Sequence, residues 1–451
     1  MWLPTRDRRM IRDRIGGSPD RALALDCVEA GIEAADPRRV IADRVELDGA
    51  DLDIDGDRYD LDEYGNVVVA GGGNAAATAA SALEGVLGER IDGGVAITDN
   101  PVETDRVSVL PGDHPVPSER GAESTRELLA VVDDAGADDL VIAVITGGGS
   151  ALMPAPAGDR SVDDLRETTD ALLASGAAVH EINAVRKHVS DLKGGHLARR
   201  AAPATVVGVV FSDVVGNDLD VIASGPLTPD ATTYADALSV LDRYDVTVPA
   251  AVRRHLNRGA EDEIPETPSA GDPAFDRVSQ RVLADGNTAL EGAAAVARER
   301  GYEPLILSSR IRGEAKEAAK SLVGIAEECA ATGTPAEPPA VLLSGGETTV
   351  TIRGDGRGGP NQEFALSAAL ELDTDAGVTV ASVDTDGIDG NSDAAGGIAD
   401  ADTASSRGAA RRALVENDAG RFLDECDGVI RTGPTATNVN DLRVFVIPSD
   451  R

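Results

Sequence analysis

The sequence predicts an α/β protein of two domains. Short runs rich in Val, Ile and Ala alternate with Ala-rich helical stretches, and several of the apolar runs end in glycines. An aperiodic stretch rich in Pro, Glu and Asp, NRGAEDEIPETPSAGDPAFD (257–276), then separates two such series. Strands alternating with helices imply a parallel sheet covered on both faces. A length of 451 residues is consistent with two or three domains. The expected organisation is an N-terminal domain over 1–258, a linker over 259–276 and a smaller C-terminal domain over 277–451.

Taken in order, NVVVAGGG (66–73) reads as a strand entering glycines, followed by a helix over 75–91. GGVAIT (93–98) is the next strand, and ESTRELLAVVDDAG (123–136) a helix. LVIAVITGGGSA (140–151) is a strand that ends in glycines, 162–176 a helix, and ATVVGVVFSDVVG (204–216) a strand and loop. Beyond the linker come a helix near 287–301, a strand at 303–309 and a helix at 313–331. PAVLLSGGETTVTI (339–352) is a strand interrupted by glycine, 361–372 a helix and VTVASVD (378–384) a strand. DLRVFVI (441–447) closes the series.

Composition restricts the partners. The chain has 79 Asp and Glu against 42 Lys and Arg, a net charge of −37. Concentrated salt screens such repulsion, so this balance suits a salt-adapted protein and opposes binding to nucleic acid or anionic membranes. Three cysteines, widely spaced and odd in number, fit free thiols in a reducing compartment. No apolar run reaches the roughly 20 residues of a membrane helix. The opening MWLPTRDRRMIRDRIGG has arginines without an apolar signal core, so a cytoplasmic location is expected.

Ligands of open parallel sheets bind beyond the carboxyl ends of strands. GGGN (71–74), TGGGSAL (146–152), SDVVGNDLDVIASGP (212–226), SGGETT (344–349) and the opening stretch are glycine-bearing candidates. Glycines let a ligand approach the backbone and expose amide donors to an anion. Gly71, Gly73 and Ala76 also fit G-x-G-x-x-A, with Asp92 about 20 residues on, as a dinucleotide fingerprint requires. That match supports a rival reading, an NAD(P)-dependent reductase.

In ASVDTDGIDGNSDAAG (381–396), four aspartates cluster at a strand end. An EF-hand frame fails, because its fifth and sixth positions would be Ile388 and Asp389. Asp384 and Asp386 at a strand tip suit magnesium, which takes one or two carboxylates and leaves its other positions to water and phosphate. Glu347 stands near another strand end, and Asp213 follows a third. Carboxylates, magnesium and glycine loops together suggest phosphoryl transfer, without a Walker A or protein-kinase motif. Only four of the 42 cations are lysines. Two of them, Lys187 and Lys193, share NAVRKHVSDLKGGHLARRAA (183–202) with Arg186. They are candidate clamps for a phosphoryl group or a carboxylate.

TGGGSAL, NAVRKHVSDLKGGHLA, SDVVGNDLDVIASGPLTPD, SGGETTVTIRGDGRGGPNQEFALSAA, SVDTDGIDGNSDAAGG and TGPTATNVNDLRV occur in the order found in class II glycerate kinases, the glycerate 2-kinases with a C-terminal MOFRL domain. The chain resembles that family from about residue 20 to 447. The resemblance implies a Rossmann-like N-terminal domain, a smaller α/β C-terminal domain, and ATP- and Mg²⁺-dependent conversion of D-glycerate to 2-phosphoglycerate. Members were often labelled hydroxypyruvate reductases. The chain departs from the family where Asn74 replaces a lysine, Pro360 an arginine and Ala436 a glycine.

The resulting expectations are specific. Asp386 orients or deprotonates the substrate hydroxyl. Glu347, Asp213 and Asp384 serve Mg²⁺, with Glu347 and Asp213 also in the catalytic set. Lys187, with Arg186, neutralises carboxylate or phosphate. Gly147, Gly148, Gly149 and Ser150 cradle an anion, and Asn74, Asn361 and Asn438 contribute to the ATP site. The expected partner is a small hydroxy acid; a homodimer is left open.

Overall fold

The computed structural model describes residue 15 and residues 17–449. The arginine-rich opening, residues 1–14, lies outside the described residues. The chain forms two compact units, one of residues Val40–Leu283 and one that combines Met1–Arg39 with Ala284–Arg451.

The first unit begins with an antiparallel three-stranded sheet, β1 (Val45–Asp48), β2 (Asp51–Ile54) and β3 (Asp57–Asp60). Its main sheet contains β4 (Val67–Gly72), β5 (Gly93–Thr98), β6 (Val107–Pro111), β7 (Leu140–Thr146), β8 (Thr205–Phe211) and β9 (Val278–Ala284), in the order β6-β5-β4-β7-β8-β9. The pairs among β4 to β8 are all parallel. All seven residues of β7 are buried, as expected of a strand covered on both faces. From β4 the order runs outward through β5 on one side and through β7 on the other. Their carboxyl ends therefore form the topological switch point where such sheets open a crevice. Gly71 is required within β4, because a Cβ there would lie 1.9 Å from the Val144 carbonyl oxygen.

The second unit is built on β10 (Glu303–Glu314), β11 (Ala340–Thr349), β12 (Thr379–Asp384), β13 (Gly396–Ala399), β14 (Val429–Ile430) and β15 (Asp441–Ile447). Their order is β10-β11-β15-β12-β13-β14. Only β10 and β11 pair in parallel; the other pairs are antiparallel. The second sheet is therefore mixed and mainly antiparallel. The last strand inserts between β11 and β12 against their direction, and all seven of its residues are buried.

The expected domain boundaries need two corrections. The helix Pro19–Ala34 belongs to the second unit, where it packs on the helix Gly286–Glu299. The crossing is close because a Cβ on Gly292 would lie 2.5 Å from the Ala34 Cβ, and one on Gly31 would lie 2.8 Å from the Ala289 carbonyl oxygen. The segment 259–276 is not a free linker either. Glu266 accepts from the Tyr234 amide, the Thr267 hydroxyl donates to Asp230 at 3.1 Å, and β9 directly after it joins the first sheet. Polar, aperiodic composition here marks a strap satisfied by side-chain hydrogen bonds, and the crossover comes later, at Leu283 and Ala284.

Candidate active site

The switch point of the first unit gathers four loops. After β7, Gly147 admits the Asp213 carboxylate, since a Cβ there would lie 2.4 Å from Asp213 Oδ2. Gly148 takes φ 76°, a conformation open to glycine, and leads into the short helix Gly149–Leu152. Its amide donates to Asp213, whose pKa is raised by burial. The Ser150 hydroxyl lies 2.8 Å from that of Ser224, which donates to Asn183 Oδ1 at 3.1 Å. The expected anion cradle is thus partly committed to holding Asp213 and the neighbouring loop.

Beside it, a cavity of about 170 Å³ is lined by His114, Gly148, Ser150, Arg186, Ser190 and Lys193, among others. Lys193 is buried, and its Nζ donates to the Met153 carbonyl oxygen at 3.1 Å. Burial, with the Arg186 charge adding, pushes its pKa down to about 7. Burial also lowers the pKa of Arg186. Neither cation forms an ion pair with a carboxylate among the described residues, although the chain carries a net charge of −37. Buried cations ordinarily have partners, so this cavity is matched to an anion.

Lys187 is a correction. It is buried and paired with Asp220 and Asp230, the latter at 3.4 Å. Arg186 and Lys187 are successive residues on one helix, so their side chains leave on different faces. Scarcity of lysine singled out this segment; helix phase turns Arg186 rather than Lys187 to the cavity, and the turn after the helix brings Lys193 there. Asn74 is held by Asp99, to which its amide nitrogen donates at 3.0 and 3.1 Å. The dinucleotide fingerprint also fails on geometry. Asp92 precedes β5 and accepts from the Val67 amide at 2.8 Å, at the edge of the sheet opposite Gly73.

In the second unit the carboxyl end of β12 meets the start of β15, with Asp384 in register with Asp441. Burial raises the Asp384 pKa well above the usual carboxylate range, and Asp386 and Asp441 add to the rise. Asp389 is buried, accepts from the Asn361 and Gln362 amides at 3.0 and 2.8 Å, and is pushed up to about 7 by burial. Asp386 caps its own loop by accepting from the Ile388 amide at 2.7 Å, and its amide donates to Asp384 at 3.1 Å. Arg443, fully buried on β15, pairs with Asp441, donates to the Thr348 hydroxyl at 2.8 Å and stacks 4.9 Å from the Phe364 ring centroid. Sequence reasoning missed this arginine; its signal was a lone cation within an apolar strand.

Three further expectations change. Asn361 is buried and spent on the fold, donating to Asp441 at 2.6 Å and accepting from Ser382 at 2.6 Å. Asn438 accepts from the Asn440 amide at 3.3 Å, a local turn contact. Glu347 lies exposed within β11, opposite Arg312 on β10. Of the expected metal set, Asp384 and Glu347 belong to the second unit and Asp213 to the first. Among the described residues, no group of three or more His, Cys, Asp or Glu side chains is arranged to hold a metal ion. Asp384 and Asp386 still fit a hard divalent cation as oxygen donors, because their mutual repulsion is what such a charge relieves.

Residues 23–257 match a family described as a domain of unknown function, DUF4147, and residues 340–441 match the MOFRL family. A glycerate 2-kinase of Pyrococcus horikoshii is 39% identical over 96% of this chain and 98% of its own. A relative from Agrobacterium vitis, named provisionally as a hydroxypyruvate reductase, is 41% identical over 85% of this chain and 87% of its own. The crystal structure of a Thermotoga maritima glycerate kinase matches with a TM-score of 0.82 at 37% identity, covering 94% of this chain and 98% of that one. With both family regions in order and the fold shared almost end to end, the chain belongs to the DUF4147–MOFRL family of class II glycerate kinases.

Proposed function

We propose that this chain transfers the γ-phosphate of ATP to the 2-hydroxyl of D-glycerate, giving 2-phosphoglycerate and ADP. The observation that carries the reading is the small cavity where Arg186 and Lys193 meet no carboxylate, in a chain akin to glycerate 2-kinases over nearly its whole length. Both cations would bind the substrate carboxylate, and Lys193 would take up a proton as that anion enters. Asp213 is the better candidate to accept the hydroxyl proton. It is a half-buried carboxylate whose pKa is raised by desolvation, bonded to Gly148, which lines the same cavity. This moves the role first given to Asp386.

Asp384 and Asp386 would hold Mg²⁺, which supplies neutralising charge for phosphate oxygens. Asn74 and Pro360 leave the enzyme without two cations typical of the family. Lys187 and Arg357 do not replace them, because both are ion-paired, the second with Asp393. Arg186 and Lys193 remain as the charge available in the cavity. The test is to incubate the purified full-length protein with ATP, Mg²⁺ and D-glycerate in molar KCl and identify the product by ³¹P NMR. Formation of 2-phosphoglycerate is expected; a folded protein that binds ATP yet releases no ADP would refute the reading.

A further inference from the structure

The Arg186–Lys193 cavity sorts its polar groups by the direction of their hydrogen bonds. One stretch of chain supplies donors. Arg186 and the Lys193 ammonium can only donate. Ser190 Oγ accepts from the Leu192 and Lys193 amides at 3.3 Å each, which leaves its O–H to be donated. All three residues line the cavity and suit the two oxygens of a carboxylate.

Ser150 is set the other way. It is half-buried in the same lining, and its hydroxyl lies 2.8 Å from Ser224 Oγ. Ser224 is fully buried and donates its only proton to Asn183 Oδ1 at 3.1 Å. The proton between the two serines therefore comes from Ser150, which keeps lone pairs but no proton for a ligand. The backbone holds this arrangement at a cost. Ala223, Ser224 and Gly225 take φ of 49°, 61° and 65° in succession. Non-glycine residues persist in that region only where their surroundings fix them. Here the two glycines after Lys193 do so: the Gly194 amide donates to the Ser224 carbonyl oxygen at 3.0 Å, and the Gly195 amide to that of Gly225 at 2.8 Å. A Cβ on Gly149 would lie 2.9 Å from the Ala223 Cβ, so this loop also presses on the turn that carries Ser150. Thr168 likewise spends its proton, on the Asp164 carbonyl oxygen at 2.7 Å, but it is only 1% exposed. His114 and Thr169 can each donate or accept and so select for neither.

We propose, on the reading of this cavity as the hydroxy-acid site, that Ser150 is a specificity-determining residue that accepts a hydrogen bond from the substrate's second hydroxyl. A hydroxyl has one proton. That of the 2-hydroxyl goes to Asp213, so Ser150 serves the 3-hydroxyl. A 2-hydroxy acid that ends in a methyl group brings no donor and leaves the Ser150 lone pairs unanswered once water is displaced. A polar site rejects an analogue without the hydroxyl through that loss.

Calorimetric titration of the full-length protein in molar KCl, without ATP, compares D-glycerate with D-lactate, which lacks the 3-hydroxyl. The unmodified protein should bind glycerate about tenfold more tightly, the worth of one hydrogen bond to this acceptor. Ser150→Ala should bring the two affinities together by weakening glycerate and not lactate. Ser224→Ala, which returns the Ser150 proton to the cavity, should narrow the gap part of the way, and carries the test if the Ser150 variant does not fold. Equal binding of both acids by the unmodified protein would overturn the proposal. So would a gap that survives Ser150→Ala, whether or not Thr168→Val removes it. Steady-state ADP release separates this proposal from the kinase reading. Selective binding without turnover of glycerate would refute the kinase and leave Ser150 its role. Turnover of glycerate and lactate with equal kcat/KM would refute that role and leave the kinase.

Discussion

The two units bury opposite charges in opposite ways. In the first, Arg186 and Lys193 face a cavity with no carboxylate against them. In the second, Asp384, Asp389 and Asp441 surround a single arginine, Arg443, and amide and hydroxyl donors from Thr348, Asn361 and Gln362 close most of the network. A buried charge is costly unless something answers it. In the second unit the fold largely answers. In the first, the fold sets no carboxylate against Arg186 and Lys193. The same physical expense therefore marks a structural cluster in one place and a candidate binding site in the other.

The largest expected effect sharpens this contrast at its chemical centre. Asp213→Asn keeps the hydrogen-bonding shape beside Gly148 but removes the base, and kcat should fall by about 10²- to 10⁴-fold. Unchanged ADP release would return the base role to Asp386. Next in size is Arg443→Met, which leaves Asp441 buried without its charge partner. Breaking a buried pair in this way costs about 3–5 kcal/mol, read from urea unfolding. If stability were unaltered, the C-terminal cluster would not be the structural half of the comparison.

Arg186→Met should behave in the reverse sense. Losing one charged hydrogen bond to substrate costs about 1.5–3 kcal/mol, seen as a raised KM for the hydroxy acid, while urea stability should hold or rise. A destabilised Arg186→Met protein would mean that the fold, and not the ligand, uses that charge.

The smallest expected effect is a pH slope. The Lys193 pKa is lowered to about 7 in the folded protein. Between about 7 and the ordinary lysine range, the unfolded chain binds a proton that the native state does not, so this group makes stability rise with pH across that window. Substrate anions favour the ammonium, so kcat/KM should fall as pH rises above about 7. Lys193→Met should flatten both slopes; an unaltered alkaline limb would assign it to another group.

Most strands were legible because each sheet interior needs an uninterrupted apolar run. GGVAIT (93–98) and DLRVFVI (441–447) coincide with β5 and β15. The glycines of GGGN and TGGGSAL were legible as places of close approach, because only glycine admits the Val144 carbonyl and the Asp213 carboxylate so closely. Side-chain destinations were not. Asn361 read as a nucleotide contact yet ties Ser382 to Asp441, and Lys187 read as a clamp yet pairs with Asp220 and Asp230.

Local chemistry alone determined the alternation of strand and helix, the acidic surface and the candidate segments for function, since periodicity, glycine and charge act over a few residues. Tertiary structure decided that the first helix packs with the last strand, that β15 enters its sheet antiparallel, and which cations stay unpaired. Those outcomes depend on residues far apart in the chain meeting in space. Lys187 is ion-paired and Arg186 is not, because Asp220 and Asp230, more than thirty residues further along, reach one and not the other.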